Sequence, residues 1–272
     1  MPELPEVESA RQVIDRYALG RVIAEVDDSD TYVCRPHTPG EIRSALLGRR
    51  LSAVHRRGKS MWCETTGVGR TRKPGPLLGF HLGMSGKIVV ADRRGSEVDG
   101  GDYWERGRKP GDLRFARFRL TFADGGYLAL IDPRRLGRVR LDPPVEKLGP
   151  DAAVVTRPEF QSAMSRGTIA VKARLLDQEA LAGVGNLLAD QALWAARIRP
   201  SRPVDELTDD DVDRLYDGVR ESVADSLADG GVHTLSFFPA RRAGGVCPRC
   251  GAALQVGVVG TRTTWWCPVE QV

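Results

Sequence analysis

One change of hydrophobic rhythm divides this chain and limits what it can fold into. Up to Asp142-Pro143-Pro144, short β-type runs at 22–26, 51–54, 77–82, 87–91, 114–122 and 127–131 are separated by glycine-rich turns, with Asp124-Gly125 as a hairpin signal. Beyond Leu148-Gly149-Pro150 the apolar residues return at helical spacing, as in Val212, Leu215, Tyr216, Val219, Val223 and Leu227 between Thr208, a helix cap, and Gly230. A two-residue period buries one face of a sheet, whereas a 3.6-residue period buries one stripe of a helix. Segregating the two gives an α+β chain, with a β-sandwich or barrel over 1–142 and a helical domain over 150–240. A Cys-containing unit at 244–272 is too short for a core of its own.

Two helices interrupt the first half. One opens at Pro5, carries Val7, Ala10, Ile14 and Tyr17 on one face and ends at Gly20; a shorter one covers 41–47. The stretches 67–76 and 93–109, rich in Gly, Pro and charge, read as surface insertions.

At 272 residues the chain is long enough for two modest domains. No run approaches a membrane span, and the first residues lack the order of a signal peptide, so a soluble, cytoplasmic protein is expected. Net charge is only +4, but just six of the 40 basic residues are lysines. An arginine-rich surface suits phosphate recognition, and a biased base composition gives the same excess. Five cysteines, an odd number, argue against a disulfide framework; Cys34 and Cys63 read as buried thiols.

The chain opens Met1-Pro2-Glu3-Leu4-Pro5-Glu6-Val7-Glu8. Methionine is ordinarily trimmed before a residue as small as proline, which leaves a secondary amine followed at once by a carboxylate. An α-amino group titrates near 8 and a lysine near 10.4, so at pH 7 the terminus is uncharged roughly a few hundred times more often. An uncharged amine can attack a sugar carbon. Condensed with an aldehyde carbon, a secondary amine gives a cationic iminium, an electron sink. The plainer reading is a chain that merely starts a helix near Pro5.

Three further motifs carry chemistry. Cys247-Pro-Arg-Cys250, then sixteen residues, then Cys267-Pro-Val-Glu270 reads as two knuckles of a zinc ribbon with Glu270 at the fourth ligand position. A hairpin held by Trp265 and Trp266 without metal fits the same residues. Gly183-Val184-Gly185-Asn186 opens an apolar helix through Ala189, Leu193 and Ala196, whose first N–H groups suit an anion such as a nucleic-acid phosphate. A tight turn between packed helices is the alternative. Residues 81–86 and 132–137 each set a large side chain in a turn at a strand end, as in proteins that wedge open a duplex; core residues and ordinary hairpins look alike here.

Together the opening residues, Arg57-Gly58-Lys59, 81–86, 132–137, 172–178, 184–190, Gly230-Gly231 and the Cys unit resemble the formamidopyrimidine-DNA glycosylase and endonuclease VIII family, in the family's order and across nearly the whole chain. The resemblance implies a bifunctional DNA glycosylase/AP lyase of base-excision repair. Its fold would be a β-sandwich, then a helix-two-turn-helix domain ending in a β-hairpin zinc finger. It would act as a monomer on double-stranded damaged DNA, with one zinc ion. By motif position Pro2 would be the Schiff-base nucleophile, Glu3 the acid that helps open the sugar, Lys59 a second proton donor and Arg262 the finger arginine that grips phosphate. Lys172 and Asn186 match phosphate-binding positions, and Met84 and Arg134 match residues that fill the space left by a flipped base. Leu136 stands where the formamidopyrimidine branch usually has Phe beside the base opposite the lesion. The turn with Arg134 favours oxidised purines as substrates. Other readings are an endonuclease VIII-like enzyme for oxidised pyrimidines, an enzyme that is mainly an AP lyase, and a non-catalytic damage-binding paralogue.

Overall fold

The computed structural model describes residues 2–69, 72–102 and 109–272. The chain forms two compact units: residues 1–2 with 6–145, and residues 3–5 with 146–272.

The first unit is a β-sandwich. Helix α1 (Leu4–Tyr17) is followed by β1 (Ile23–Asp27), α2 (Glu41–Leu46), β2 (Arg49–Arg57), β3 (Ser60–Gly67), β4 (Leu78–His81), β5 (Lys87–Ala91), β6 (Glu97–Gly101), β7 (Ala116–Phe122), β8 (Tyr127–Ile131) and β9 (Arg138–Leu141). Five strands form one antiparallel sheet in the order β1-β7-β8-β5-β6, and four form the other in the order β2-β3-β4-β9. One core joins Val54, Met61, Cys63, Leu78 and Phe80 of the smaller sheet to Ile88, Val90, Phe118, Leu120, Leu128 and Leu130 of the larger. Phe80 and Phe118 meet edge to face at 6.0 Å, a geometry worth about 0.5–1.5 kcal/mol beyond area burial. Burial pushes the Cys34 thiol up to about 12, with Asp28, Asp30 and Asp27 adding to it, and raises Cys63 as well, so both are inert.

Several expectations change. Tyr17, expected on the buried face of α1, is 46% exposed; Ala18, four residues after Ile14, continues that face instead. Residues 97–101, expected in a surface insertion, form edge strand β6 beside β5. Their acidic and glycine residues carry no hydrophobic alternation, but Gly100 is required where the strand passes α1: a Cβ there would lie 2.6 Å from the Ser9 carbonyl oxygen. Residues 70–71 and 103–108 of the two expected insertions lie outside the described residues.

The second unit contains α3 (Arg157–Met164), α4 (Val171–Leu176), α5 (Asn186–Ala196), α6 (Asp209–Ala228) and the hairpin β10 (Gln255–Val259) and β11 (Arg262–Trp266). Thr208 and Asp211 form a capping box that starts α6. Leu215, Val219 and Val223 then face α5, whereas Leu227, expected to extend the stripe, is 37% exposed. The core of this unit takes in Leu4 together with Phe160, Val171, Leu188, Leu193 and Val232. The hairpin rests on a cluster of its own, Trp194, Phe237, Cys247 and Cys267, with the two rings stacked at 5.4 Å.

Candidate active site and DNA-contacting residues

The glycine turn before α5 does select an anion, but the anion belongs to the chain. Glu3 is fully buried in the second unit. Its carboxylate accepts hydrogen bonds from the backbone N–H of Gly185 at 3.1 Å, Leu187 at 2.8 Å and Leu188 at 3.1 Å. These are N–H groups that a helix start leaves without partners, and the positive end of the helix dipole adds to them. The phosphate expected at this helix start is therefore replaced by Glu3. Gly185 is required for the approach, because a Cβ there would lie 2.2 Å from the Glu3 carboxyl carbon. Glu3 is peptide-bonded to Pro2, itself buried.

Around this helix the second unit builds a charged hub. Asp190, fully buried on α5, pairs with the Lys172 ammonium at 2.6 Å, accepts from Arg241 Nε at 2.8 Å and accepts from the Trp265 N–H at 3.3 Å. Lys172 also donates to Thr264 Oγ1 at 2.7 Å. Burial pulls the Lys172 pKa down; Asp190 opposes that shift, and the nearby Arg241 charge adds to it. Lys172, expected at a phosphate, has 0% exposure, and its ammonium meets Asp190 and Thr264, which ties α4 to β11.

Asn186 Nδ2 donates to the Thr263 carbonyl at 3.0 Å, which fixes the same strand to the start of α5; its Oδ1 has no partner among the described residues. The β10–β11 turn uses positive φ at Gly260 and Thr261, as a two-residue hairpin loop demands, and Gly260 packs on Ala173. Arg262 follows this turn and is exposed, with its guanidinium unbonded among the described residues.

The remaining residues lie in the first unit. Lys59 sits in the two-residue turn between β2 and β3, where Gly58 has φ 57°. The turns carrying Met84 and Arg134 are brought together by Asp132, which is fully buried. Its carboxylate accepts from Ser85 Oγ at 2.7 Å, from the Arg134 N–H at 3.2 Å and from the Gly137 N–H at 2.7 Å. Gly83, at φ 62°, lets the first turn touch the backbone of Leu136, where a Cβ would come within 2.4 Å. Met84 and Leu136 are half-buried, and Arg134 is exposed.

The Cys247, Cys250 and Cys267 sulfurs all lie within 4.8 Å of one another, and Cys250 and Cys267 are 3.5 Å apart. A tetrahedral zinc with bonds near 2.3 Å needs sulfurs about 3.8 Å apart, so three thiolates fit it. Burial alone would raise the Cys247 thiol, but the Trp194 indole N–H and the N–H groups of Cys250 and Arg249 outweigh it and bring it below its usual value. Glu270 departs from expectation: its carboxylate stays outside the sulfur cluster, 3.6 Å from Arg197 Nε. Its backbone N–H approaches the Cys267 sulfur instead, at 3.4 Å.

Sequence reasoning missed Asp190 and Asp132. Asp190 had a usable signal, since a lone acid inside the otherwise apolar run of α5 has to be paired when the helix is buried on all sides. Thr263 and Thr264 had none, because their contacts are to residues about ninety positions away.

The sandwich unit with its two turns linked through Asp132, and the helical unit that anchors a carboxylate at residue 3 and ends in a thiol-bearing hairpin, are matched by a DNA glycosylase of base-excision repair. The chain belongs to the formamidopyrimidine-DNA glycosylase family: the profile of that enzyme's N-terminal domain matches residues 1–139, and that of its H2TH domain matches 148–237. It is 33% identical to formamidopyrimidine-DNA glycosylase of Nocardioides sp. over 300 residues, covering 100% of this chain and 94% of the relative. The corresponding enzyme of Roseiflexus sp. is 33% identical, with 98% of each covered. Among solved structures, Lactococcus lactis formamidopyrimidine-DNA glycosylase bound to DNA containing an abasic site has a TM-score of 0.78 at 26% identity, covering 99% of each chain. The same enzyme with DNA containing an oxidised pyrimidine gives 0.79, also at 26% identity and 99% of each chain. No helix among the described residues is long and apolar enough to cross a membrane.

Proposed function

We propose that this glycosylase removes oxidised purines from double-stranded DNA and then cleaves the abasic site by β- and δ-elimination, with Pro2 as nucleophile. The observation that carries the reading is the Glu3 carboxylate, clamped by three N–H groups at the start of α5 and joined directly to Pro2. In the proposed sequence the Pro2 nitrogen bonds to C1′ and the base leaves, protonated by Lys59. The proton shed by the nitrogen passes through Glu3 to O4′ as the C1′–O4′ bond opens to the iminium. That cation acidifies C2′–H; loss of this proton expels the 3′ phosphate, and a second elimination expels the 5′ phosphate. Because three donors favour its anionic form, Glu3 carries the transferred proton only briefly and otherwise stabilises the cation.

Arg262, exposed and unbonded among the described residues, suits a bidentate contact to a phosphate beside the lesion. Met84, Arg134 and Leu136, on turns fixed by Asp132, suit filling of the gap in the duplex, and Asn186 supports the hairpin. Cys247, Cys250 and Cys267 would hold a zinc ion, which when bound supplies structural cross-linking of the hairpin.

A panel of single-lesion duplexes tests the reading. Strand cleavage at 8-oxoguanine and formamidopyrimidine sites, leaving phosphate at both ends of the gap, is expected. Cleavage confined to oxidised pyrimidines, or to abasic sites alone, contradicts the purine assignment.

A further inference from the structure

The smaller sheet of the sandwich turns one face away from the core, and β9 forms its edge. Arg138 and Arg140 flank the buried Val139, so both point to that outer face. The strand register sets Arg138 opposite His81, Arg140 opposite Gly79 and His81 opposite Ser60. A polar row thus runs across three strands. Together with Arg35, and with Leu136 at one side, it lines a cavity of about 570 Å³.

The charge in this cavity is unanswered. Three arginines line it and, among the described residues, no acidic one does. A little way off, Arg135 is paired with Asp30 at 2.9 Å, and Arg117 lies 4.0 Å from the same carboxylate. Arg35 donates to the Tyr32 carbonyl at 3.3 Å and lies 3.9 Å over the Tyr32 ring, and Arg138 donates to the Gly137 carbonyl at 2.6 Å. Each guanidinium has five N–H donors, so most remain available. The Arg140 backbone belongs to the β4–β9 ladder, and its guanidinium makes no hydrogen bond or ion pair among the described residues. Three like charges converging on one concavity repel each other until an anion enters, and planar guanidiniums match phosphate oxygens in pairs. The room available suits a stretch of sugar-phosphate chain more than a lone ion.

We propose that this cavity seats backbone phosphates of the undamaged DNA strand, next to the base opposite the lesion. The choice of strand rests on the proposed function: Leu136, which borders the cavity, belongs to the turn whose Arg134 is assigned to the gap left by the flipped nucleotide. Arg138 and Arg140 then hold the strand that is not cut, while the base opposite the lesion is left beside Leu136.

The test uses the whole protein and a duplex carrying a stable abasic analogue. In wild type, the slope of log K against log salt should exceed that of Arg138→Gln/Arg140→Gln by about one to two, at roughly 0.9 per phosphate. Arg138→Lys/Arg140→Lys, which keeps the charge, should restore most of the slope and shows that the sheet edge is intact. Neutral methylphosphonates at the undamaged-strand phosphates beside the opposite base should weaken wild-type binding and have no further effect on the Gln variant. An unchanged slope, full additivity of the two changes, or non-additivity found only on the damaged strand overturns the proposal. Borohydride trapping with saturating protein and abasic DNA separates this from the catalytic reading: the Gln variant should still trap. If wild type does not trap, the nucleophile assignment fails while the salt slope still decides the cavity.

Discussion

Asp132 and Asp190 are both fully buried acids that hold functional segments in place, yet they are neutralised in opposite ways. Asp132, in the sandwich, is answered among the described residues only by dipoles: one hydroxyl and two backbone N–H groups. Asp190, in the helical unit, is answered by two cations, Lys172 and Arg241, and one N–H. Dipoles suit a part that fixes two turns locally. A paired-charge hub ties together α4, α5 and the hairpin, which meet from distant parts of the sequence, and its removal strands two charges instead of three dipoles.

The largest expected effect breaks the charged hub. Asp190→Asn should cost about 3–5 kcal/mol in denaturant unfolding, because Lys172 and Arg241 are left buried without their acid. Asp132→Asn should cost less, about 1–3 kcal/mol, since it removes hydrogen-bond acceptors and leaves no charge unpaired. Equal costs would erase the distinction. Lys172→Met combined with Asp190→Leu sharpens it further: part of the Asp190→Asn loss should be recovered, since Lys172 no longer carries an unanswered charge and only Arg241 is left without its acid.

Next in size is Gly185→Ala. The new Cβ would overlap the Glu3 carboxyl group, so the carboxylate must leave its three donors or the turn must shift. An overpacking cost of about 1–3 kcal/mol is expected, together with a fall in kcat larger than any change in DNA affinity. Normal kcat in a folded variant would mean that the clamp does not matter to the chemistry. The smallest effect is Arg262→Ala, which should lower the salt slope of DNA binding by about 0.9, one phosphate contact, and leave stability unchanged. An unaltered slope would remove Arg262 from the DNA surface.

What could be read from the sequence followed how local each signal is. Strands β5 and β8, buried on both faces, and the helix α5 lie where their apolar runs put them, since each run is complete within a few residues. Strands β3, β6 and β9 gave weak patterns, because Thr65 takes a buried position in β3, β6 has only Val98 as a large apolar residue, and β9 buries only Val139. These strands form because neighbouring strands offer them hydrogen bonds. At the site, motif order placed Glu3, Asn186 and the three cysteines near their structural roles. Spacing could not reveal that Lys172 is spent internally, that Glu3 occupies the helix start expected to bind phosphate, or that Glu270 turns to Arg197. Each outcome depends on a charge brought in from elsewhere in the fold.

The central claim is that residues 2 and 3 are the chemical centre of the enzyme, and one measurement addresses it most directly. Borohydride reduction of the protein on abasic-site DNA, followed by proteolysis and mass spectrometry, should give a single nucleotide adduct on the amino-terminal peptide, at the Pro2 nitrogen with Met1 absent. An adduct on Lys59, or a protein that cleaves abasic DNA at full rate with its terminal amine blocked, would contradict the account.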